Sequence, residues 1–219
     1  LSRTCAAPTA QGSALLDVGA GTGAFVEYAS QRGWNCSAVE LSEYGRSEIR
    51  QRAGTDHVYA ELDPSLLPRE SFQAVTLWAV IEHMPYRSAL FASIANLVRP
   101  GGVLALSCPN PVTLNRYLFR KYWRYFIPLE HITFYPPHLI RKHFEDAGMA
   151  FAHETSFFSR SAWRQGLQRT GFGWLPSAFG RLAELFNNAF FHGDTYEVYF
   201  TKPTRARQPV SRSCSSHQQ

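Results

Sequence analysis

The chain has 219 residues, 45% of them hydrophobic and 18% charged, with a formal net charge of +5 and a pI near 9.2. That length fits one domain and hardly two, with enough apolar residues for a sizeable core. No apolar run reaches the ~18–20 residues of a membrane span, and the cysteines (Cys5, Cys36, Cys108, Cys214) show neither CxxC nor zinc-site spacing. A reducing, cytoplasmic compartment is the expectation. The positive residues are scattered, which argues against nucleic acid as a partner.

The chain starts at Leu1 without a methionine, and residues 1–13 read as a remnant of sequence continuing upstream. Residues 14–18 (ALLDV) are expected as a buried strand ending in a glycine-rich turn. A helix is expected over 24–32, stopped by Gly33, and a second strand over 35–41 (NCSAVEL). Ser42 is placed to cap a helix over 43–52, with Gly54 behind it. Residues 57–62 and 72–79 (FQAVTLWA) are expected as the third and fourth strands. Over 86–98, Leu90, Ile94, Leu97 and Val98 share a helical face. Pro100-Gly101-Gly102 then breaks the helix and launches a fifth strand over 103–107.

Residues 109–128 are aromatic and basic, and Arg116, Arg120 and Arg124 recur at helical spacing. A helix over 137–147 buries Leu139, Ile140, Phe144 and Ala147, and a sixth strand over 151–158 follows. Residues 160–191 read as a helical insertion, 195–201 (TYEVYFT) as the last strand, and 204–219 as a disordered tail. Strands alternating with helices imply right-handed crossovers and a parallel sheet. The expected fold is therefore α/β, doubly wound and Rossmann-like, over residues 14–203.

The informative segment is LLDVGAGTG, residues 15–23. Glycines at a strand-to-helix turn let a ligand approach the backbone, and the helix behind offers free N–H groups. Gly19, Gly21 and Ala24 also satisfy the dinucleotide fingerprint G-x-G-x-x-A. Asp17 and the further glycine, Gly23, weigh against a nicotinamide enzyme: a carboxylate there suits an amino acid's ammonium group. Glu40, at the end of the second strand, can accept both hydroxyls of a ribose in either case.

These segments, with AVELS, FQAVTLWAVIEHMP, LVRPGGVLALSCPN and EHITFYPPHLIRKHFEDAGM, resemble the successive motifs of class I methyltransferases that use S-adenosylmethionine. The ubiquinone-biosynthesis-type O-methyltransferases and their small-molecule relatives are the subgroup most similar. The resemblance implies a seven-stranded, mostly parallel sheet with helices on both faces and an antiparallel last strand at its edge. It places Asp17, Gly19, Ala20, Gly21 and Gly23 around the methionine portion of the cofactor. Glu40 would hold the ribose, Leu41 would lie on the adenine, and Glu61 or Leu62 would border its edge, with Asp63 as an alternative. Trp78 and Ala79 would line the reactive end. Some relatives complete a metal site with a carboxylate where this chain has Ala79. Only Glu82 and His83 remain here, so no required metal is expected.

Methyl transfer is an in-line displacement, and a hydroxyl acceptor gains from losing its proton. His83, with Glu82 beside it, is the candidate base, and His131 is the second. The aromatic residues of 117–126 suit a small acceptor of aromatic or lipid-like character, and the insertion is compatible with peripheral membrane contact. Two other functions stay open: an NAD(P)-dependent oxidoreductase, and a non-catalytic methyltransferase-like binding domain.

Overall fold

The computed structural model describes residues 12–63, 66–175, 178–190 and 193–204. The N-terminal stretch 1–11, with Cys5, and the tail 205–219, with Cys214, lie outside the described residues. The elements run β1 (Ala14–Val18), α1 (Ala24–Ser30), β2 (Asn35–Val39), α2 (Glu43–Ala53), β3 (Val58–Tyr59), β4 (Phe72–Trp78), α3 (Ser88–Leu97) and β5 (Val98–Pro109). They continue with α4 (Leu114–Phe119), α5 (Pro137–Asp146), β6 (Ala150–Phe157), α6 (Arg160–Arg169), α7 (Ala178–Phe190) and β7 (Thr195–Thr201). Single 3-10 turns lie at Ile81–His83 and Arg120–Tyr122.

All seven strands form one sheet in the order β3-β2-β1-β4-β5-β7-β6. The β1, β2, β3, β4 and β5 pairings are parallel, and β7 runs antiparallel to both its neighbours. Side chains on a strand alternate between faces, and β1 shows the consequence. Leu15 joins a buried cluster with Val26 and Ala29 of α1 and Ile49 of α2. Leu16 joins the larger cluster with Phe91 and Ile94 of α3 and Ile140 and Phe144 of α5. In β4, Ala74 packs with the first cluster and Val75 and Leu77 with the second. Helices therefore cover both faces, as expected of a doubly wound sheet.

Local signals act where they were read. Ser42 Oγ accepts from the Gly45 N–H, and Gly54 closes α2 in the left-handed region at φ 63°. Glu43 in the first turn of α2 and Arg50 and Arg52 in its last suit the helix dipole. Two expectations need correction. Pro100-Gly101-Gly102 does not precede the fifth strand. β5 starts at Val98, and its pairing with β4 jumps from Phe72–Val98 to Ala74–Val103, so the glycines form a bulge inside it, with Gly101 at φ 76°. The last strand is not at the sheet edge: β7 lies between β5 and β6, and β6 is the edge. Burial agrees, since Tyr196, Val198 and Phe200 of β7 are buried whereas no residue of β6 is. Periodicity shows which face a side chain takes, not where its strand enters the sheet.

Phe144 is fully buried, with its ring 5.2 Å from those of Phe91 and Phe200. It joins α5 to α3 and β7, so Phe144→Ala leaves a cavity in the larger cluster. Chemical denaturation should show a loss of about 3–5 kcal/mol.

Candidate active site

The strand order reverses between β1 and β4, and ligands of open α/β sheets bind outside the carboxyl ends of the strands at such a point. Asp17 lies near that end of β1, buried, and accepts a hydrogen bond from Thr76 Oγ1 of β4 at 2.6 Å. Burial pushes its carboxyl up to about 7, while the Thr76 hydroxyl works the other way. Thr76 was not singled out in the sequence, although a hydroxyl inside the apolar run FQAVTLW is the kind of signal that marks such a partner.

Gly19 and Ala20 both donate their N–H to the Val39 carbonyl, at 2.8 and 3.1 Å, which ties the turn to the end of β2. Ala20 also packs, half-buried, against the α1–α2 cluster. Gly19, Gly21 and Gly23 take φ of 72°, 57° and 81°, a region costly for residues with a Cβ. A Cβ on Gly19 would overlap the Val80 side chain, and one on Gly23 would stand 2.8 Å from Ile49 Cγ1. A Cβ on Gly21 would meet nothing within 4 Å, so the space above it is open.

Glu40 follows β2, and its carboxylate is held by the backbone. Oε2 accepts from Gly21 N at 2.9 Å and Oε1 from Ser42 N at 2.8 Å. Each oxygen keeps lone-pair capacity for a further donor. Arg46 donates to the carbonyls of Glu40 and Leu41 and pairs with Glu43. Gly45 was missed in the sequence. A Cβ there would run into Gly21 O at 2.6 Å and Glu40 Cγ at 2.7 Å, so α2 must present a glycine to the turn. A glycine in the first turn of a capped helix was the available clue.

Leu41 is 81% exposed beside this turn, and Tyr44 is exposed one helical step on. β3 is only two residues long, so Glu61 and Leu62 fall in the loop beyond it: Glu61 is exposed and Leu62 packs against the larger core cluster. Trp78 sets its ring edge-on to Phe25 of α1 at 5.6 Å. Ala79 takes φ 54° and donates to the Ser107 carbonyl at 3.0 Å, a strained residue where the chain leaves the sheet.

Just past it, the 3-10 turn Ile81–His83 carries Glu82 and His83. The Glu82 carbonyl accepts from both Ile132 N at 2.9 Å and Thr133 N at 3.1 Å, and Thr133 Oγ1 donates to the Met84 carbonyl. This main-chain stitch brings the downstream Glu130-His131 pair onto the upstream Glu82-His83 pair, a meeting the sequence left open. The His83 and His131 rings stand 4.7 Å apart, and one ligand atom from each of Glu82, His83 and His131 lies within 4.8 Å of the others. His83 Nδ1 lies 2.8 Å from the Glu130 carbonyl and His131 Nδ1 lies 2.7 Å from that of Tyr125. A carbonyl only accepts, so each Nδ1 carries a proton, and in the neutral ring Nε2 keeps its lone pair. Glu82 is 2% exposed, its Oε2 has no hydrogen-bond partner, and burial pushes its carboxyl up to about 7. His131 thus stands beside the Glu82-His83 pair, and two imidazoles with a carboxylate are a donor set that could hold a divalent ion.

Residues 2–154 match the family described as a methyltransferase domain. A ubiquinone biosynthesis O-methyltransferase of Dechloromonas aromatica is 35% identical over 119 residues, 49% of either chain. Its counterpart in Pseudomonas entomophila is 30% identical over 105 residues, 45% of either chain. This chain thus spans about half the length of the curated relatives it matches. A methyltransferase of Mesorhizobium loti dependent on S-adenosylmethionine shares the fold, with a TM-score of 0.60 at 19% identity over 88% of this chain and 92% of that one. Phosphoethanolamine N-methyltransferase 2 of Haemonchus contortus, solved with S-adenosylmethionine, gives 0.57 at 17% identity over 90% of this chain and 50% of that one. The fold is that of the class I methyltransferases dependent on S-adenosylmethionine. The chain belongs to the methyltransferase-domain family.

The folded protein holds the Asp17 proton up to about pH 7, whereas the unfolded chain releases it near 3.8. Between those values the unfolded state binds fewer protons, so the Asp17 contribution to stability falls as pH rises. Asp17→Asn removes that penalty. Thermal melts should show the variant gaining in Tm over the wild type at pH 8 relative to pH 5.

Proposed function

We propose that the protein transfers a methyl group from S-adenosylmethionine to a hydroxyl of a small acceptor. The observation that carries this reading is the adjacency of two sites. The glycine turn touches Val80, two residues before Glu82, so an open backbone cradle and a cluster of proton-accepting groups share one edge of the sheet. Asp17 would take the cofactor's ammonium group, Gly19, Ala20, Gly21 and Gly23 would surround its methionine portion, and Glu40 would take the ribose. Leu41 would lie on the adenine, Glu61 and Leu62 at its edge, and Trp78 and Ala79 at the sulfonium. The S–CH3 bond breaks as the O–CH3 bond forms, and the electron pair stays on sulfur to give S-adenosylhomocysteine. The acceptor's proton goes to His83 Nε2, the lone pair left by the Glu130 hydrogen bond. Glu82 and His131 position that ring.

Support for an aromatic or lipid-like acceptor bearing an anionic group comes from the neighbouring surface. A groove of about 450 Å³ is lined by Arg116, Tyr117, Arg120, Lys121 and Phe126. None of its three cations pairs with a carboxylate among the described residues. Phe126 stacks on Phe134 at 6.4 Å, and Phe134 meets His131 edge-on at 6.1 Å, so rings connect the groove to the cluster. Arg124 does not extend this basic face: α4 ends at Phe119, and Arg124 turns to Ser161 Oγ at 3.1 Å.

Calorimetry should detect S-adenosylhomocysteine binding, and Glu40→Gln should weaken it by about 1–3 kcal/mol through lost charge-assisted hydrogen bonds. Absence of binding by the folded protein overturns the reading of the turn. Gly21→Val should abolish binding with the fold retained, because the branched side chain fills the open space above the turn. In a methyl-transfer assay over phenols with and without a carboxylate or phosphate, the anionic phenols should be preferred. His83→Ala should lower turnover by about 10²–10⁴-fold with cofactor affinity unchanged. Turnover near the wild-type rate removes His83 from the chemistry.

A further inference from the structure

The helical insertion encloses a second cavity that the proposed methyl transfer does not use. It lies between α6 and α7, holds about 410 Å³ and is lined by Arg160, Trp163, Arg164, Leu167, Gly180 and Arg181. That size suits a small organic molecule. The first four of these residues sit at helical spacing, so one face of α6 turns toward α7. Charge is one-sided here: residues 160–191 carry four arginines and a single acidic residue, Glu184. Glu184 pairs with Arg160 at 2.6 Å. Arg164 and Arg181 pair with no carboxylate among the described residues. Arg124 donates to Ser161 Oγ, and Ser161 also lines the cavity, so a further guanidinium stands at its rim. Trp163 supplies an independent observation. Its Nε1 is shielded from solvent and has no hydrogen-bond partner among the described residues. A Cβ built on Gly180 would stand 3.6 Å from Trp163 Cδ1 and 3.9 Å from Nε1, so the N–H edge of the indole faces α7 where that helix has no side chain. A shielded N–H without an acceptor costs free energy that a ligand oxygen would offset.

We propose that this cavity binds a small organic oxyanion, a phosphate or carboxylate on an apolar body, at a site separate from that of methyl transfer. Guanidinium groups hold either oxyanion through paired N–H donors, and an anion is drawn to the excess of positive charge. Leu167, Leu175 and the Trp163 ring give the apolar body its wall. The cavity shares no lining residue with the groove at Arg116. The two back onto each other across Phe119 at the end of α4, whose ring meets that of Trp163 edge-on at 5.3 Å. Gly166 of α6 admits the Phe119 ring, since a Cβ there would overlap it. A ligand in the cavity therefore sits behind the element that carries the groove without occupying the groove itself. The proposal holds whether or not the groove takes a methyl acceptor.

Two-dimensional nitrogen–proton NMR of the whole chain can follow the Trp163 indole N–H, assigned by its loss in Trp163→Phe. The probes are naphthyl phosphate, naphthoate and inorganic phosphate, each with and without S-adenosylhomocysteine. Naphthyl phosphate or naphthoate should shift that signal saturably, also with S-adenosylhomocysteine present, and the tighter of the two identifies the oxyanion. Inorganic phosphate lacks the apolar body and should bind at least about 10-fold more weakly. Arg164→Gln and Arg181→Gln should each weaken binding by about 10-fold or more through lost charge-assisted hydrogen bonds. Gly180→Leu should abolish binding by filling the cavity. Arg116→Gln, in the groove, should leave the Trp163 response unchanged. Circular dichroism checks that each variant is folded. A Trp163 signal that no probe shifts overturns the proposal, as does a response that neither arginine variant weakens. A response lost in Arg116→Gln, or displaced by S-adenosylhomocysteine, overturns it as well, because the probe then sits in the groove or in the glycine cradle.

Discussion

Between β1 and β4 the chain reverses the direction in which it adds strands, and the helices on the two sides part company there. α1 and α2 close one face, α3 and α5 the other, and among the described residues the space above Gly21 at the carboxyl edge is open. The hydrogen bond from Thr76 to Asp17 ties the strands together at that opening. Everything at the site is placed from this edge. The glycine turn leaves β1 there, Glu40 leaves β2 beside it, and the Ile81–His83 turn leaves β4 opposite. Asp17 is costly to keep charged in such a place, and its raised pKa expresses that cost. A bound ammonium group would offset it.

The Glu82 cluster rests on a second and different device. Two N–H groups, from Ile132 and Thr133, converge on one carbonyl, that of Glu82. That stitch holds an irregular loop, with Leu129 in the left-handed region, against the end of β4. Irregular backbone of this kind is retained where it serves a site. Ala79, at φ 54° three residues before Glu82, belongs to the same strained exit from the sheet.

A buried polar hub under the helical insertion decides where the last strand goes. Asp194, just before β7, accepts from Thr113 Oγ1 at 3.1 Å, Asn115 Nδ2 at 2.8 Å and Ser159 N at 2.7 Å. These donors come from the start of α4 and from the cap of α6, so one carboxylate joins β7 to both helices. The donors oppose the rise that burial imposes on it. With β7 anchored there, it pairs with β5 on one side and β6 on the other, and β6 is left as the edge.

The amino-acid sequence by itself determined the parallel half of the sheet, because the alternating pattern of β1 and β4 and the caps at Ser42 and Gly54 are local signals. It also determined the glycine turn, since glycine takes left-handed backbone without strain and leaves open space, as at Gly21. The contacts of Gly45 and Glu40 with Gly21, and of Thr76 with Asp17, were not legible, because each joins residues distant along the chain. The position of β7 and the bulge at Gly101 likewise depend on pairing between strands, which periodicity does not encode. Above all, only the tertiary structure decided that Glu82-His83 and Glu130-His131 are one cluster and not two motifs. Their meeting depends on two hydrogen bonds to a single carbonyl, and main-chain atoms carry no residue-specific signature in a sequence.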